Sequence, residues 1–222
     1  MPRHLVVGDV HGCLGELTGL LDLVADPERA LVFVGDLVAK GPDSRGVLAL
    51  ARERGARAVL GNHDKHALRW LDAQEAGAEP PGRSAAHSAM CASFGRADWD
   101  YLRALPCYLR LEHVEAIVVH AGLVPGVALE QQEEECMISM RTLRSDGRPS
   151  KRLGDGVPWA SLWRGPELVV FGHDAVTGLQ RHRHAIGLDT GCVYGGRLTG
   201  LLLPEREVVS VPALGRHSEP EG

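Results

Sequence analysis

Residues 30–40 read ALVFVGDLVAK. The apolar run Ala30–Val34 predicts a buried β-strand, and the acid Asp36 follows where that strand leaves the sheet. The same kind of phrase closes two other apolar runs, LVVGDVHG at 5–12 and AVLGNHD at 58–64. Polar side chains are therefore predicted at the ends of three strands.

Helical patterns separate these strands. Apolar residues recur at helical spacing over residues 14–24, a second pattern follows the candidate N-cap Ser44, and a third begins near Asn62. The order β-α-β-α-β-α predicts parallel strands joined by right-handed crossovers. Such sheets bind ligands where their strands end, so we expect the polar phrases on one rim.

The rest of the chain sets the domain organisation. Further strand patterns occur at residues 108–111, 117–119, 168–171, 186–188, 198–203 and 208–211. With 222 residues, we expect one domain over residues 1–213. Residues 73–106 are expected to form a helical cap or insert, because Ala, Gly, Pro and Ser interrupt the alternation there. Residues 214–222 are expected to be a disordered tail.

Composition excludes several classes of protein. The formal net charge of −5 argues against DNA binding, which needs a strongly basic surface. The five cysteines form no CxxC pair, which is typical of free thiols in a reducing compartment. No apolar run approaches the roughly 20 residues that span a bilayer, and no signal-peptide pattern is present. We expect a cytoplasmic protein with no membrane partner.

Five strand ends carry polar groups that bind metals. The residues are Asp9, His11, Asp36, Asn62, His63, His120 and His173. Taken singly, a Gly-Asp at a strand exit is commonly a turn, and a lone histidine is commonly a hydrogen-bonded structural residue. Burying all of them on one rim is costly unless something compensates them. Carboxylate and imidazole together suit manganese, and also cobalt, zinc or iron.

The ligand chemistry suggests a binuclear site. The expected ligands form two sets joined by Asp36: Asp9 and His11 for one ion, and Asn62, His120 and His173 for the other. Two ions about 3.5–4 Å apart clamp the attacking and leaving oxygens of an in-line phosphoryl displacement, and a bridging hydroxide supplies the nucleophile. His63 is left as the candidate general acid, with capping of the following helix as the structural alternative.

The ordered motifs resemble those of a known family. GDVHG (8–12), GD (35–36), GNHD (61–64), HAG (120–122) and GH (172–173) are similar to the motifs of calcineurin-like metallophosphoesterases of the phosphoprotein phosphatase superfamily. The resemblance covers roughly residues 3–212. It implies an α/β fold of four layers, α/β/β/α, with two mixed sheets flanked by helices. It also implies the metal ligands assigned above.

Ala39 and Lys40 point to one branch of that family. Protein Ser/Thr phosphatases have Asp and Arg at these positions, whereas GDLVAKGP (35–42) resembles the diadenosine-tetraphosphatase-like branch. The resemblance implies hydrolysis of phosphoanhydride bonds in dinucleoside polyphosphates, with Lys40 contacting phosphate. A protein Ser/Thr or Tyr phosphatase, which would act on a phosphoprotein, and an inorganic polyphosphatase remain the alternatives, and capped RNA ends are a further substrate class of that branch.

Several other residues are candidates for substrate binding. Asn62 and Lys40 lie in the motifs, while Arg141 and Arg144 precede a Gly-, Pro- and Arg-rich segment and are expected to reach a second phosphate. Solvated surface arginines are the equally simple alternative. Tyr194 is a candidate for stacking on a base, with ordinary packing as the alternative. The basic stretch 181–184 would favour a polyphosphatase if it lined the cleft.

Overall fold

The computed structural model describes residues 2–81 and 84–219, in which the strands form three sheets. The first sheet contains, in spatial order, β13 (Glu207–Pro212), β12 (Arg197–Leu203), β1 (His4–Val7), β2 (Ala30–Phe33) and β3 (Arg57–Ala58). The second contains β10 (Gln180–Arg181), β11 (Ala185–Gly187), β9 (Leu168–Phe171), β5 (Ala116–Val119) and β4 (Tyr108–Leu111). A small third sheet contains β7 (Pro149–Ser150), β6 (Thr142–Leu143) and β8 (Val157–Pro158).

Helices cover the outer faces of the two large sheets. Those that share a core with the first sheet are α1 (Leu14–Val24), α2 (Ser44–Glu53), α3 (Asn62–Glu75), α4 (Ala85–Ala92) and α5 (Arg96–Arg103). Those that share a core with the second sheet are α6 (Glu134–Ser139) and α7 (Trp159–Leu162). The result is the four-layer α/β/β/α arrangement that the family resemblance implied.

Both large sheets are mixed. Strands β1, β2 and β3 run parallel, as the β-α alternation predicted, while β12 and β13 continue the sheet antiparallel. In the second sheet β9 is parallel to both β5 and β11, and β4 and β10 are antiparallel edges. Alternation along the first 75 residues therefore predicted only the parallel half of one sheet.

The strands read as unbroken apolar runs because both of their faces are buried. In β1, Val6 faces the core between the two sheets, while Leu5 and Val7 face the core beneath the helices. In β2, Val32 and Phe33 divide in the same way. Each fully buried side chain of this kind contributes roughly 1.5–3 kcal/mol. These two cores hold the strand ends at fixed positions.

The start of α2 differs from the prediction by one residue. Asp43 is the N-cap, because its Oδ1 accepts a hydrogen bond from the Gly46 N–H at 2.7 Å. The hydroxyl of Ser44 instead accepts a hydrogen bond from the Ala39 N–H at 3.0 Å. Ser44 therefore stabilises the loop after β2 rather than capping the helix.

The tail is more ordered than expected over its described part. The Leu214 N–H donates to Glu16 Oε1 at 2.8 Å, and the His217 N–H donates to the Val193 carbonyl at 2.9 Å. These contacts tie residues 214–219 to the domain, so the expectation of disorder is corrected for them. Residues 220–222 lie outside the described part of the chain. Residues 73–106, the expected insert, contain α4 and α5.

Within the described residues, no helix combines the length and the apolar character needed to cross a membrane.

Candidate active site

The polar motifs that follow the strands meet in one cleft with a volume of about 710 Å³. Strands β1, β2, β5 and β9 all end at this edge of the sheets. The cleft is lined by these residues among others: Asp9, His11, Asp36, Lys40, Asn62, His63, Arg141, His173, Asp189 and Tyr194. His120 lies directly behind them and is fully buried. The structure thus brings together every metal ligand that the sequence predicted.

Asp36 lies at the centre of the cluster. Its Oδ1 accepts a hydrogen bond from the backbone N–H of His63 at 2.8 Å, in the first turn of α3. Its Oδ2 lies 3.5 Å from His11 Nε2 and 3.5 Å from His120 Nε2. The close approach needs a glycine at position 61, where a Cβ would lie 2.2 Å from Asp36 Oδ1.

The tautomers of two histidines follow from their backbone partners. His11 Nδ1 lies 3.1 Å from the carbonyl of Val38, and His120 Nδ1 lies 2.9 Å from the carbonyl of Val34. Because a carbonyl only accepts, each Nδ1 carries the proton and each Nε2 presents a lone pair. Both lone pairs face the Asp36 carboxylate. An arrangement of acceptors around a common point fits a cation.

Asn62 and His173 extend the cluster beyond His120. Asn62 Oδ1 lies 2.9 Å from His120 Nε2 and 3.0 Å from His173 Nδ1. The backbone N–H of His173 donates a hydrogen bond to the Asp9 carboxylate at 3.1 Å. A Cβ at Gly172 would lie 1.9 Å from Asp9 Oδ1, so only glycine permits this contact. His173, which follows β9 of the second sheet, thereby orients the carboxylate of Asp9, which follows β1 of the first sheet.

Two ligand groups share Asp36. One consists of His11, Asp36 and His63, and the other of Asp9, Asp36 and His120, with all ligand atoms in each group within 4.8 Å of one another. Both groups contain Asp36, the residue that was expected to bridge the two ions. The grouping differs from the expected one in two respects: Asp9 lies with His120, and His63 lies near enough to His11 to be a ligand.

Burial favours the neutral forms of His11, His120 and Asp9. It lowers the pKa of His11 to about 3 and that of His120 to about 4, against 6.5 for a free imidazole. Burial, reinforced by Asp189 and Asp36, raises the pKa of Asp9 well above its ordinary value. Neutral imidazoles beside crowded carboxylates are the state in which histidine binds metals. The electrostatics therefore favour a positive charge between these groups rather than on the histidines.

Backbone strain concentrates at this edge. Among the described residues other than glycine, eight have positive φ, and five of them are His11, Asp36, Ala39, Lys40 and His173. Their φ values lie between 47° and 75°. Non-glycine residues avoid this region, and strain of this kind persists where surrounding contacts enforce it, often at functional sites. The strained conformations turn the side chains inward at the strand ends.

Sequence reasoning assigned no role to Asp64 and Asp189. Asp64 is fully buried and accepts hydrogen bonds from the N–H groups of Leu37 (3.0 Å), Val38 (3.3 Å) and Gly61 (3.0 Å). It thereby fixes the loop whose Val38 carbonyl orients His11. Burial raises its pKa to about 7.

Asp189 is a further carboxylate in the cleft. It lies just beyond the end of the short buried strand β11, and an acid that follows a buried strand is the same signal that identifies Asp36. Burial raises its pKa to about 6, and the Gly191 N–H donates to it at 3.0 Å.

The expected substrate contacts divide into two groups. Lys40 and Tyr194 line the cleft together, with Lys40 Nζ donating to Tyr194 Oη at 2.6 Å. Arg141 also lines it, anchored by the carbonyls of Lys151 and His173. Arg144 instead pairs with Asp155 in the small third sheet. It does not line the cleft, and neither do residues 181–184.

The motifs and their geometry match a family model. Residues 2–199 match the model of the calcineurin-like phosphoesterases. The chain belongs to this family. Its members' fold and chemistry imply a binuclear site for divalent metal ions, and the two ligand groups around Asp36 fit one. The phosphoesterase is accordingly a metal-dependent phosphohydrolase.

Relatives of this phosphoesterase extend over nearly its whole length. Bis(5'-nucleosyl)-tetraphosphatase PrpE (asymmetrical) of Bacillus subtilis is 32% identical, over 94% of this chain and 93% of its own length. A bis(5'-nucleosyl)-tetraphosphatase described as symmetrical, from Janthinobacterium sp. (strain Marseille), is 32% identical over 96% and 97%.

Solved structures agree with the fold of the phosphoesterase. "Crystal structure of a putative diadenosine tetraphosphatase" has a TM-score of 0.86 and 40% identity, covering 96% of both chains. A metallophosphoesterase from Sphaerobacter thermophilus, at 16% identity and a TM-score of 0.59, shares the fold alone.

Replacing Asp64 tests its role in positioning the site. Asp64→Asn puts an amide donor where a carboxylate oxygen accepts backbone N–H groups, so a buried donor loses its partner. We expect a loss of about 1–3 kcal/mol in the free energy of unfolding, measured by urea denaturation, together with reduced turnover. Asp72→Asn, at an exposed position of the same helix, is the control. Equal stability of both variants would contradict the role given to Asp64.

Proposed function

We propose that this phosphoesterase hydrolyses a phosphoanhydride bond in dinucleoside polyphosphates such as diadenosine tetraphosphate. The observation that carries the proposal is Lys40, whose ammonium is held against Tyr194 at the candidate metal cluster. The relatives named above support it, because both are tetraphosphatases of bis(5'-nucleosyl) compounds.

Lys40 favours small polyanionic substrates. Its Nζ lies 2.6 Å from Tyr194 Oη and 5.2 Å from the centre of that ring. An ammonium is a point charge that binds phosphate without the fixed geometry of a guanidinium. At position 39 the buried Ala39 supplies no carboxylate to His63. The Asp-Arg pair of protein Ser/Thr phosphatases is therefore missing, which argues against a phosphoprotein substrate.

Six residues are proposed as metal ligands. They are Asp9, His11, Asp36, Asn62, His120 and His173. Manganese is the proposed ion, with cobalt, zinc or iron as substitutes, because all accept mixed carboxylate and imidazole ligands. When bound, two such ions supply Lewis acidity and bring the pKa of a coordinated water near neutrality.

The protein's own groups orient the reaction. Asp36, held by the N–H of His63, fixes the centre of the cluster. The His63 ring is buried against His11, with ring centroids 5.0 Å apart, and faces the cleft. We assign it the transfer of a proton to the leaving phosphate oxygen. Its neighbouring position also allows a ligand role, and the experiment below distinguishes the two.

Substrate contacts are proposed for four residues. Lys40 and Asn62 contact the reacting phosphate, Arg141 contacts a second phosphate, and Tyr194 lies where a base or ribose would pass. Arg144 is dropped because it pairs with Asp155 away from the cleft. The polyphosphatase alternative loses its specific support, since residues 181–184 do not line the cleft.

A cytoplasmic location is also proposed. All five cysteines are free thiols in the structure, which suits a reducing compartment.

A substrate panel tests the proposed function. Purified protein loaded with Mn²⁺, Co²⁺ or Zn²⁺ is assayed on diadenosine tetraphosphate, inorganic polyphosphate, a phosphopeptide and capped RNA. We expect kcat/KM for diadenosine tetraphosphate to exceed the others by at least about tenfold, or 1.4 kcal/mol. Two ADP would identify symmetrical cleavage, and ATP with AMP asymmetrical cleavage. A higher kcat/KM for the phosphopeptide would overturn the proposed substrate class.

His63→Ala separates proton transfer from metal binding. As a general acid, His63 contributes about 10²–10⁴ in turnover, so we expect kcat to fall by that factor while metal content is unchanged. Metal content is measured by plasma mass spectrometry. His66→Ala, one turn further along α3, is the matched control and should have a much smaller effect. If His63→Ala loses one equivalent of metal, His63 is a ligand instead.

Lys40→Ala tests the phosphate contact. A charge-assisted hydrogen bond is worth about 1.5–3 kcal/mol, so KM for diadenosine tetraphosphate should rise roughly 10- to 100-fold. The rise for a phosphate monoester such as p-nitrophenyl phosphate should be smaller, because it carries less charge. Arg45→Ala, an exposed cation outside the cleft, serves as the control. Equal rises for both substrates would refute the assigned contact.

A further inference from the structure

A second group of metal-binding side chains lies outside the cleft. Cys13, Glu16 and His217 each offer a ligand atom, and these atoms all lie within 4.8 Å of one another. Cys13 and Glu16 are buried at the start of α1, whereas His217 approaches from the C-terminal tail and is exposed. Sulfur, carboxylate oxygen and imidazole nitrogen thus converge from two distant parts of the chain.

Cys192 lies beside this group, because it shares a buried core with Cys13 and its neighbour Val193 accepts the His217 N–H at 2.9 Å. The neighbouring Cys13 thiol, together with burial, raises the pKa of Cys192. The combination of two thiols, one imidazole and one carboxylate is a four-ligand set that suits tetrahedral zinc.

Backbone hydrogen bonds hold the converging segments in place. Glu16 Oε1 accepts the Leu214 N–H at 2.8 Å, which fixes the tail beside α1. The Val193 carbonyl accepts the N–H groups of His217 at 2.9 Å and Ser218 at 3.2 Å, which fixes the tail beside the loop of Cys192. The segments that carry the four side chains are therefore held next to one another by the fold.

We propose that Cys13, Glu16, Cys192 and His217 form a zinc site that is separate from the binuclear centre. None of the four lines the cleft. On binding, the two thiols would release their protons to solvent and coordinate as thiolates, because metal binding requires deprotonated cysteine ligands. Thiolate ligands select zinc over manganese, whereas the cleft offers only nitrogen and oxygen.

The site would connect three segments that border the active cleft. Cys13 follows the loop that carries Asp9 and His11, and Cys192 lies between Asp189 and Tyr194. His217 belongs to the tail, which is hydrogen-bonded to Glu16 beside Cys13 and to Val193 beside Cys192. Zinc bound there would hold these loops in register without contacting substrate. This inference is independent of which phosphate compound the enzyme hydrolyses.

Cobalt substitution tests the site directly. The full-length protein, stripped of metal, is titrated with Co²⁺ and its absorption spectrum recorded. A thiolate-to-cobalt charge-transfer band in the near ultraviolet reports sulfur ligands, and the nitrogen and oxygen ligands of the cleft cannot produce it. We expect this band in the unmodified protein. We also expect three equivalents of zinc after loading with Zn²⁺, two from the cleft and one from the proposed site.

Matched variants assign the ligands. His217→Ala and Cys192→Ala should each lose one equivalent of zinc and the thiolate band, or most of it for His217→Ala. His113→Ala, an exposed histidine beside the second sheet, and Cys136→Ala, a buried cysteine in α6, should retain both. Because His217 is exposed, its variant tests the site even if loss of a buried cysteine impairs folding, which circular dichroism would show.

Two results would overturn the proposal. One is the absence of a thiolate band in folded, unmodified protein saturated with Co²⁺. The other is a band and a third zinc equivalent that persist in folded Cys192→Ala and His217→Ala, since the sulfur ligand would then lie elsewhere.

Discussion

The structure depends on placing one carboxylate, Asp36, among other acceptor groups at the ends of two packed sheets. One of its oxygens is fixed by an amide of α3 and the other faces two imidazole lone pairs. Such an arrangement is unfavourable in a dry interior without a cation. The fold holds it together with two cores, one on each face of the first sheet, whose cooperative packing offsets local repulsion. The folded state thus concentrates acceptor groups at the place where a divalent cation is proposed to bind.

The close packing around Asp36 and Asp9 requires glycines at some neighbouring positions and strained backbone conformations at others. Gly61 and Gly172 are needed because Asp36 and Asp9 occupy the space that a side chain would fill. His11, Asp36 and His173 adopt left-handed backbone conformations because the chain must turn immediately after each strand. The buried Asp64 carboxylate holds the loop after β2 in its strained shape by accepting three backbone N–H groups. The positions of the candidate metal ligands are therefore fixed by neighbouring residues that are not themselves ligands.

The cleft and the proposed zinc site differ in the types of metal ligand that they present. The cleft presents carboxylate and imidazole, which suit ions that exchange water and substrate. The group around Cys13 presents thiols at a position that substrate does not reach, which suits an ion that stays bound. Tyr194, which accepts a hydrogen bond from Lys40 in the cleft, directly follows Val193, whose carbonyl accepts the N–H groups of His217 and Ser218 in the tail. Substrate preference and the anchoring of the tail are thus neighbouring properties of one loop region.

The sequence by itself determined most strands of the two large sheets and the candidate ligands at their ends, because buried strands are continuous apolar runs and Gly-Asp and Gly-Asn-His motifs mark where they stop. The ordered motifs also determined the family, and Ala39-Lys40 its branch. Three features depended on the tertiary structure: the roles of Asp64 and Asp189, the removal of Arg144 from the cleft, and the meeting of Cys13 with His217. Each depends on contacts between segments far apart in the chain, and local sequence patterns carry no information about which distant segments pack together.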